Sequence, residues 1–195
     1  MLKLESERIF LRKLIADDLD DFHSYRSNPA VAKYQTWHPF SIKDSKEFIS
    51  RYGIYKPYFT GEWFSFGIEL KSIHKIIGDC GVKSELVDSR LALIDCTLSV
   101  DFQKQGLAKE ALTLLFNYSF NELKLHRITA VTDCKNLPSI RLFERLEMRR
   151  EGHFIKNSWL KGKWCNQYLY AILEEEWSKK RLIQNYSKER IKDEI

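Results

Sequence analysis

The hydrophobic positions change period several times along the chain, and each change predicts an element. Ile9, Leu11 and Leu14 alternate and predict an opening strand. Asp17 and Asp18 suit the positive first turn of a helix whose apolar side continues through Phe22 and Tyr25. Asn28-Pro29 reads as a turn, and Ser41 as the cap of a helix over about 43–55, where Phe48, Ile49 and Tyr52 fall at helical spacing. From Trp63 the period shortens. Three strands follow, over about 63–70, 76–82 and 91–100, joined by short polar stretches as antiparallel hairpins. A strong helix over about 104–123 carries the stripe Leu107, Ala108, Ala111, Leu112, Leu115 and Tyr118. Residues 126–133 return to a strand pattern, and Pro138 opens a helix that turns Ile140, Phe143 and Leu146 inward. Two last strands meet near Lys161-Gly162-Lys163, with Tyr168, Tyr170 and Ile172 alternating on the second.

Composition narrows the class. A chain of 195 residues is about one domain, and 44% apolar with 13% aromatic residues excludes a disordered one. The net charge of +5 permits an anionic ligand without demanding nucleic acid, and no concentrated basic-aromatic face marks a nucleic-acid module. No apolar run approaches the ~20 residues of a membrane helix. Acids in Met1–Arg8 stand where a signal peptide is apolar, so a cytoplasmic protein is expected. Cys80, Cys96, Cys134 and Cys165 are spaced for neither zinc nor a short disulfide framework; they read as reduced core thiols, with no metal site. Between Ser178 and Ile195 six Lys or Arg face three Asp or Glu, a solvated helix or tail, or a basic surface for a ribosome or an acidic partner.

The segment richest in chemistry is Leu98–Leu112. A strand runs into a polar loop with one glycine, Gly106, and the loop becomes the first turn of the long helix. The first N–H groups of a helix lack intrahelical partners, and a glycine lets a ligand approach the backbone. Lys104, Gln105, Gly106, Leu107, Ala108 and Lys109 would then cradle a phosphate or pyrophosphate, or Gly106 would serve only a turn. Neither a P-loop nor the G-x-G-x-x-G fingerprint is present.

Gln103-Lys104-Gln105-Gly106-Leu107-Ala108 resembles the [QR]-x-x-G-x-[GA] signature of the GNAT superfamily of N-acetyltransferases. Further resemblances follow in order: Leu125-His126-Arg127-Ile128 before a strand, the helix Asn136–Leu146, and the hairpin elements Arg150-Glu151-Gly152 and Leu160–Trp164. The opening Leu4–Arg12 resembles the branch that acetylates ribosomal-protein N-termini (the RimJ/RimL type). The likeness spans about residues 4–177. It implies acetyl-CoA as acetyl donor. The backbone of Cys96, Thr97 and Leu98 would pair with the pantetheine arm, and the 104–109 loop would hold the pyrophosphate. The Asn136 side chain would bond the pantetheine region, or act as a helix cap. Pattern and resemblance together predict one α/β (α+β) domain over residues 1–177, with a mixed, mostly antiparallel sheet and helices on both faces.

Acetyl transfer needs a neutral amine and a leaving thiolate. A chain-terminal amine, pKa about 7.7–8.0, is partly free near pH 7, whereas a lysine amine at about 10.4 is not. The resemblance implies a Tyr acid where this chain has Phe143, so Ser139 becomes the acid candidate, or a plain first-turn serine. Asp95 is the candidate base, or an exposed strand acid or a contact for substrate charge; the Glu found in the branch two residues earlier is Leu93 here. His74 and His153 read as surface histidines. The ring-rich stretch from Tyr34 to Phe66 supplies core or dimer packing, or an acceptor wall at Tyr34, Trp37 and His38. The favoured acceptor is a protein N-terminal amine, possibly ribosomal. The alternatives are a small amine, which as a cation would want acids such as Glu62, Glu69 and Asp79 in the cleft, or a CoA-binding sensor that has lost catalysis.

Overall fold

The structure, a computed structural model, describes residues 2–52 and 61–180. Its elements are β1 (Lys3–Glu5), β2 (Ile9–Arg12), α1 (Leu19–Arg26), α2 (Pro29–Ala32), α3 (Ile42–Tyr52), β3 (Trp63–Leu70), β4 (Lys75–Ser84), β5 (Leu91–Leu98), α4 (Leu107–Asn121), β6 (Arg127–Asp133), α5 (Leu137–Arg145), β7 (Arg149–Leu160) and β8 (Lys163–Leu173). A further helix runs over 174–180. The strands form one sheet in the order β1-β2-β3-β4-β5-β6-β8-β7. All neighbours are antiparallel except β5 and β6. The expected mixed, mostly antiparallel α/β fold is what the chain adopts.

Both faces of the sheet are covered. On one, α4 buries Leu107, Ala111, Leu112, Leu115, Phe116 and Phe120 against Ile9, Phe66, Val82 and Ile94, joined by Ile140 and Phe143 of α5. Each of the Leu, Ile, Val and Phe side chains contributes roughly 1.5–3 kcal/mol of burial. On the other, a smaller aromatic core joins Phe22 and Tyr25 of α1, Val31 of α2 and Ile49 of α3. A bulge in the β3–β4 register puts Ile76 in this second core and Ile77 in the first.

Several element boundaries differ from the sequence pattern. The opening strand is two, because Ser6 turns the chain and its N–H reaches the Ile9 carbonyl at 3.1 Å. Asp17 and Asp18 form a 3-10 turn before α1, where Asp18 accepts the Ile15 N–H at 2.8 Å. The Asn28-Pro29 turn opens α2, with Asn28 Oδ1 accepting the Ala30 N–H. The long helix starts at Leu107, since a 3-10 turn at Val100–Phe102 takes up the chain first. Tyr55, Tyr58 and Phe59, the end of the second predicted helix, and tail residues beyond 180 lie outside the described residues.

A buried ion pair anchors α1 to β4. The Arg26 guanidinium donates to both carboxylate oxygens of Asp79, with Nε at 3.0 Å from Oδ2, and the Tyr25 hydroxyl donates to Oδ2 at 2.6 Å. All three residues are buried. Removing one partner leaves an uncompensated charge in the interior. Arg26→Met is therefore expected to cost roughly 3–5 kcal/mol of unfolding free energy, read by urea denaturation. Arg26→Met combined with Asp79→Leu should recover most of that loss.

Candidate active site

β5 and β6 pair only at Leu91–Arg127, Ala92–Ile128 and Leu93–Thr129, yet both strands continue. They part beyond Leu93 and Thr129, because β6 pairs with β8 along its whole length while β5 stays with β4. The main-chain groups along β5 follow from the bonds at its two ends. Ser99 N–H donates to the Ile77 carbonyl at 2.8 Å, and Glu85 N–H to the Leu91 carbonyl at 2.8 Å. The alternation of an antiparallel ladder then turns the N–H and C=O of odd-numbered residues toward β4. Those of Ile94, Cys96 and Leu98 turn toward the opening.

This splits the three predicted backbone contacts. The Cys96 main chain lines the opening. Leu98 does so as well, but its carbonyl already accepts from Gln103 Nε2 at 3.0 Å. Thr97 is a correction: its peptide is committed to Asp79 across the ladder, and its hydroxyl instead lies 3.5 Å from Gln35 Nε2.

At the C-terminal end of β5 the 104–109 loop leads into α4. Gly106 is the N-cap, at φ 81 in the left-handed region, with no side chain capping the helix. The first closed turn is Glu110 N–H to the Gly106 carbonyl at 3.0 Å, which leaves the amides of Leu107, Ala108 and Lys109 without intrahelical acceptors. Lys104 and Lys109 are exposed beside them. Arg8 braces the loop from below, donating to the Gln105 carbonyl at 3.0 Å while its Nε bonds Glu110 at 2.7 Å. Gln105 folds back onto the Asp101 carbonyl. The parted strands and the uncapped helix start fit a long ligand with an anionic end.

Asp95 stands on the sheet face opposite α4. Its cross-strand partner is Gly81, whose missing side chain opens the surface; a Cβ there would meet Asp95 Oδ1 at 3.0 Å and Ser65 Oγ at 3.1 Å. Asp95 Oδ1 is out of water and has no hydrogen-bond partner among the described residues. Burial pushes the carboxyl up to about 7, and the Asp79 charge on the next strand adds to the push. Arg26 and the Gly81 main chain partly offset it. Asp95 is thus half-buried, not the exposed strand acid weighed from sequence, and its carboxyl is raised toward neutrality.

Asn136 caps α5, its Oδ1 accepting the Ser139 N–H at 3.4 Å, so the helix-cap role is present. Ser139 is half-buried in the first turn of α5. Phe143 is buried against Tyr170, ring centroids 5.4 Å apart. Among the acceptor-wall residues, Trp37 packs edge-on to Phe40 and lies under the Arg26 guanidinium, 4.6 Å away. It seals the buried ion pair more than it lines a cleft. Tyr34 is half-buried beneath Lys33, and His38 is exposed. Gln35, Ser65 and Gly81 lie around Asp95 on this face and were passed over by the sequence pattern; Asp79, weighed there only as a cleft acid, lies on it as well. The alternation of β4 and β5 could have put Asp79, Gly81 and Asp95 on one face; nothing in the stretch around Gln35 marks it.

Cys80 and Cys96 thiols are pushed well up by burial and by nearby carboxylates, so they stay protonated and inert. Among the described residues no group of three or more His, Cys, Asp or Glu could hold a metal ion, and no helix is long and apolar enough to cross a membrane.

Residues 8–149 match the acetyltransferase (GNAT) domain family, and the chain belongs to it. It is 31% identical over 179 residues to the N-acetyltransferase p20 of Bacillus licheniformis, covering 91% of this chain and 99% of that one. A solved GNAT-family acetyltransferase from Bacillus anthracis superposes with a TM-score of 0.81 at 30% identity, over 90% of this chain and all of that one. More distantly, the chain is 23% identical over 175 residues to the spermidine N(1)-acetyltransferase of Escherichia coli, over 86% and 87% of the two chains. The protein is an N-acetyltransferase, an acyltransferase that moves acetyl from acetyl-CoA to an amine.

Proposed function

We propose that the acceptor is an amine carrying a single charge, and in particular the N-terminal α-amine of a protein, attacked directly in a ternary complex. The carrying observation is the buried Oδ1 of Asp95, which has no hydrogen-bond partner among the described residues, on the sheet face opposite α4 beside the parted β5 and β6 strands. Acetyl-CoA supplies the activated acetyl group. The Cys96 main chain would hold its arm, the amides of Leu107, Ala108 and Lys109 its pyrophosphate, and Asn136 would sit beside the arm while capping α5.

Asp95 takes the proton of the incoming ammonium. A carboxyl titrating near 7 is closely matched to a terminal amine at about 8. A lysine-like ammonium at about 10.4 would have to give up its proton some three units uphill. Ser139 donates a hydrogen bond to the departing thiolate, the duty Phe143 has no hydroxyl for. Ser139→Ala should lower kcat about tenfold and leave acetyl-CoA affinity within about twofold, since a hydrogen bond to a charged group contributes about 1.5–3 kcal/mol. Stopped-assay kinetics beside calorimetric binding would read both; an unchanged kcat removes Ser139 from the mechanism.

Of the acids that a polycation would seek, Glu62 stands half-exposed, 3.9 Å from Arg51, and the other two are engaged more closely. Glu69 is taken by Arg12, with His74 also 3.5 Å away, and Asp79 by Arg26 and Tyr25. The polyamine reading keeps one specific support, the likeness to spermidine N(1)-acetyltransferases. A peptide array run beside spermidine and other small amines, with CoA release as readout, decides between them. Turnover of peptides with free N-termini is the expected result; turnover of spermidine alone sinks this acceptor.

A further inference from the structure

The β7–β8 hairpin carries surface that neither fold nor chemistry uses. Trp159 and Trp164 face each other across the strands one step from the tip, rings edge-to-face at 5.3 Å, and are 60% and 57% exposed. From Gly152 to Leu173 the chain has Lys156, Lys161 and Lys163 and no Asp or Glu. Large aromatic side chains left in water beside lysines that form no ion pair among the described residues mark an interaction site.

The hairpin tip is joined to the acceptor face. Lys161 Nζ donates to the Ala32 carbonyl at the end of α2, and the same carbonyl accepts the Gln35 N–H at 3.0 Å. Gln35 in turn reaches Thr97, which neighbours Asp95 on the same side of β5. A line of contacts thus runs from Asp95 through Thr97, Gln35 and Lys161 to the tryptophan pair. The strand edge here is unsuited to adding another strand. A register break between Phe154 and Ser158 is pinned by Asn166 Oδ1 on the Lys156 N–H at 2.9 Å and by Asn157 on Gln167. The surface offers side chains to a partner.

We propose that the hairpin docks the segment of a peptide acceptor that follows its reacting amine, and that this segment is acidic. The inference rests on the α-amine reading above. Acidic side chains would meet Lys156 and Lys163, and an apolar or aromatic one the Trp159–Trp164 pair. An extended chain covers about 3.3 Å per residue, so eight residues reach about 26 Å.

The test uses decapeptides with free N-termini, identical in their first three residues and carrying Glu, Ser or Lys in the remainder. The Glu peptide is expected to have a KM at least tenfold below that of the Lys peptide. In Trp159→Ala/Trp164→Ala its KM should rise about tenfold with kcat unchanged, while a dipeptide amide, too short to reach the pair, keeps its KM. The Glu peptide should also quench the wild-type tryptophan fluorescence, and less so in the variant. Equal KM values for all peptides in both proteins overturn the docking surface and leave the α-amine reading standing. Loss of a dimer in the variant, with peptide KM unmoved, overturns it in favour of a second copy of the chain. Acetylation of spermidine but of no peptide overturns the α-amine reading itself, and the docking surface with it.

Discussion

Asp95→Asn is expected to lower kcat by about 10²–10⁴-fold, the range for removing a positioned general base, while acetyl-CoA binding persists. The wild-type kcat/KM should fall tenfold per pH unit below about 7, as Asp95 takes up the proton that makes it useless as a base. In the variant the Asp95 limb is lost, and the remaining fall below about pH 8 follows only the free fraction of the acceptor amine. The same group gives a stability signature of opposite sense. Its pKa is higher in the folded chain than in the unfolded one, where an Asp titrates near 3.9. Between about pH 4 and 7 the folded state therefore binds the extra proton, and its contribution to stability is lost as pH rises through that window. Asp95→Asn removes the cost of a buried charge at pH 8. The variant should melt no lower than the wild type there, and higher if the carboxylate is as isolated as its unpartnered Oδ1 indicates. Lost activity together with a lowered melting temperature would instead mark Asp95 as a structural residue.

Gly106→Val should abolish the rise in melting temperature that acetyl-CoA produces, for a loss of affinity of about a hundredfold or more. Gly106 lies at φ 81, where a β-branched residue is strained by roughly 1–2 kcal/mol. There is room for a side chain itself, since a Cβ would meet only Arg8 Nη2 at 3.5 Å. The cost falls on the loop: to relieve the strain the backbone must leave the left-handed turn, and the amides of Leu107, Ala108 and Lys109 turn with it. Ligand at a hundred times its Kd adds about 2.7 kcal/mol of stability. Loss of that increment is measurable by thermal shift in the presence and absence of the coenzyme. An unaltered shift would remove the 104–109 loop from the site.

Much of the fold was legible in sequence because its signals are local. The stripe from Leu107 to Tyr118, the alternation from Trp63 onward and the Pro138 helix start each depend on neighbours a few residues away. The positions of the candidate site residues were legible in part for the same reason: Gly106 and Asn136 sit at helix starts, which sequence marks well. Asp95 was less so. Its burial, its empty Oδ1 and its push from Asp79 come from strand register, which joins residues 16 positions apart. Thr97 shows the same limit, because which peptide faces the opening depends on the phase of the ladder and not on residue type. Trp37 belonged to a stretch dense in rings, and only packing could tell the cover of an ion pair from the wall of a cleft. Gln35 is polar in an irregular segment, with neither period nor motif to single it out.

The central claim is that acetyl-CoA enters where β5 and β6 part and presents its acetyl group to an amine whose proton passes to Asp95. A crystal structure with a non-hydrolysable acetyl-CoA analogue tests it most directly. The arm should bond the Cys96 main chain, the pyrophosphate should sit on the amides of Leu107, Ala108 and Lys109, and the carbonyl should open toward the Asp95 side of the sheet. Coenzyme bound away from the opening, or with its carbonyl shut off from the face that carries Asp95, would contradict it.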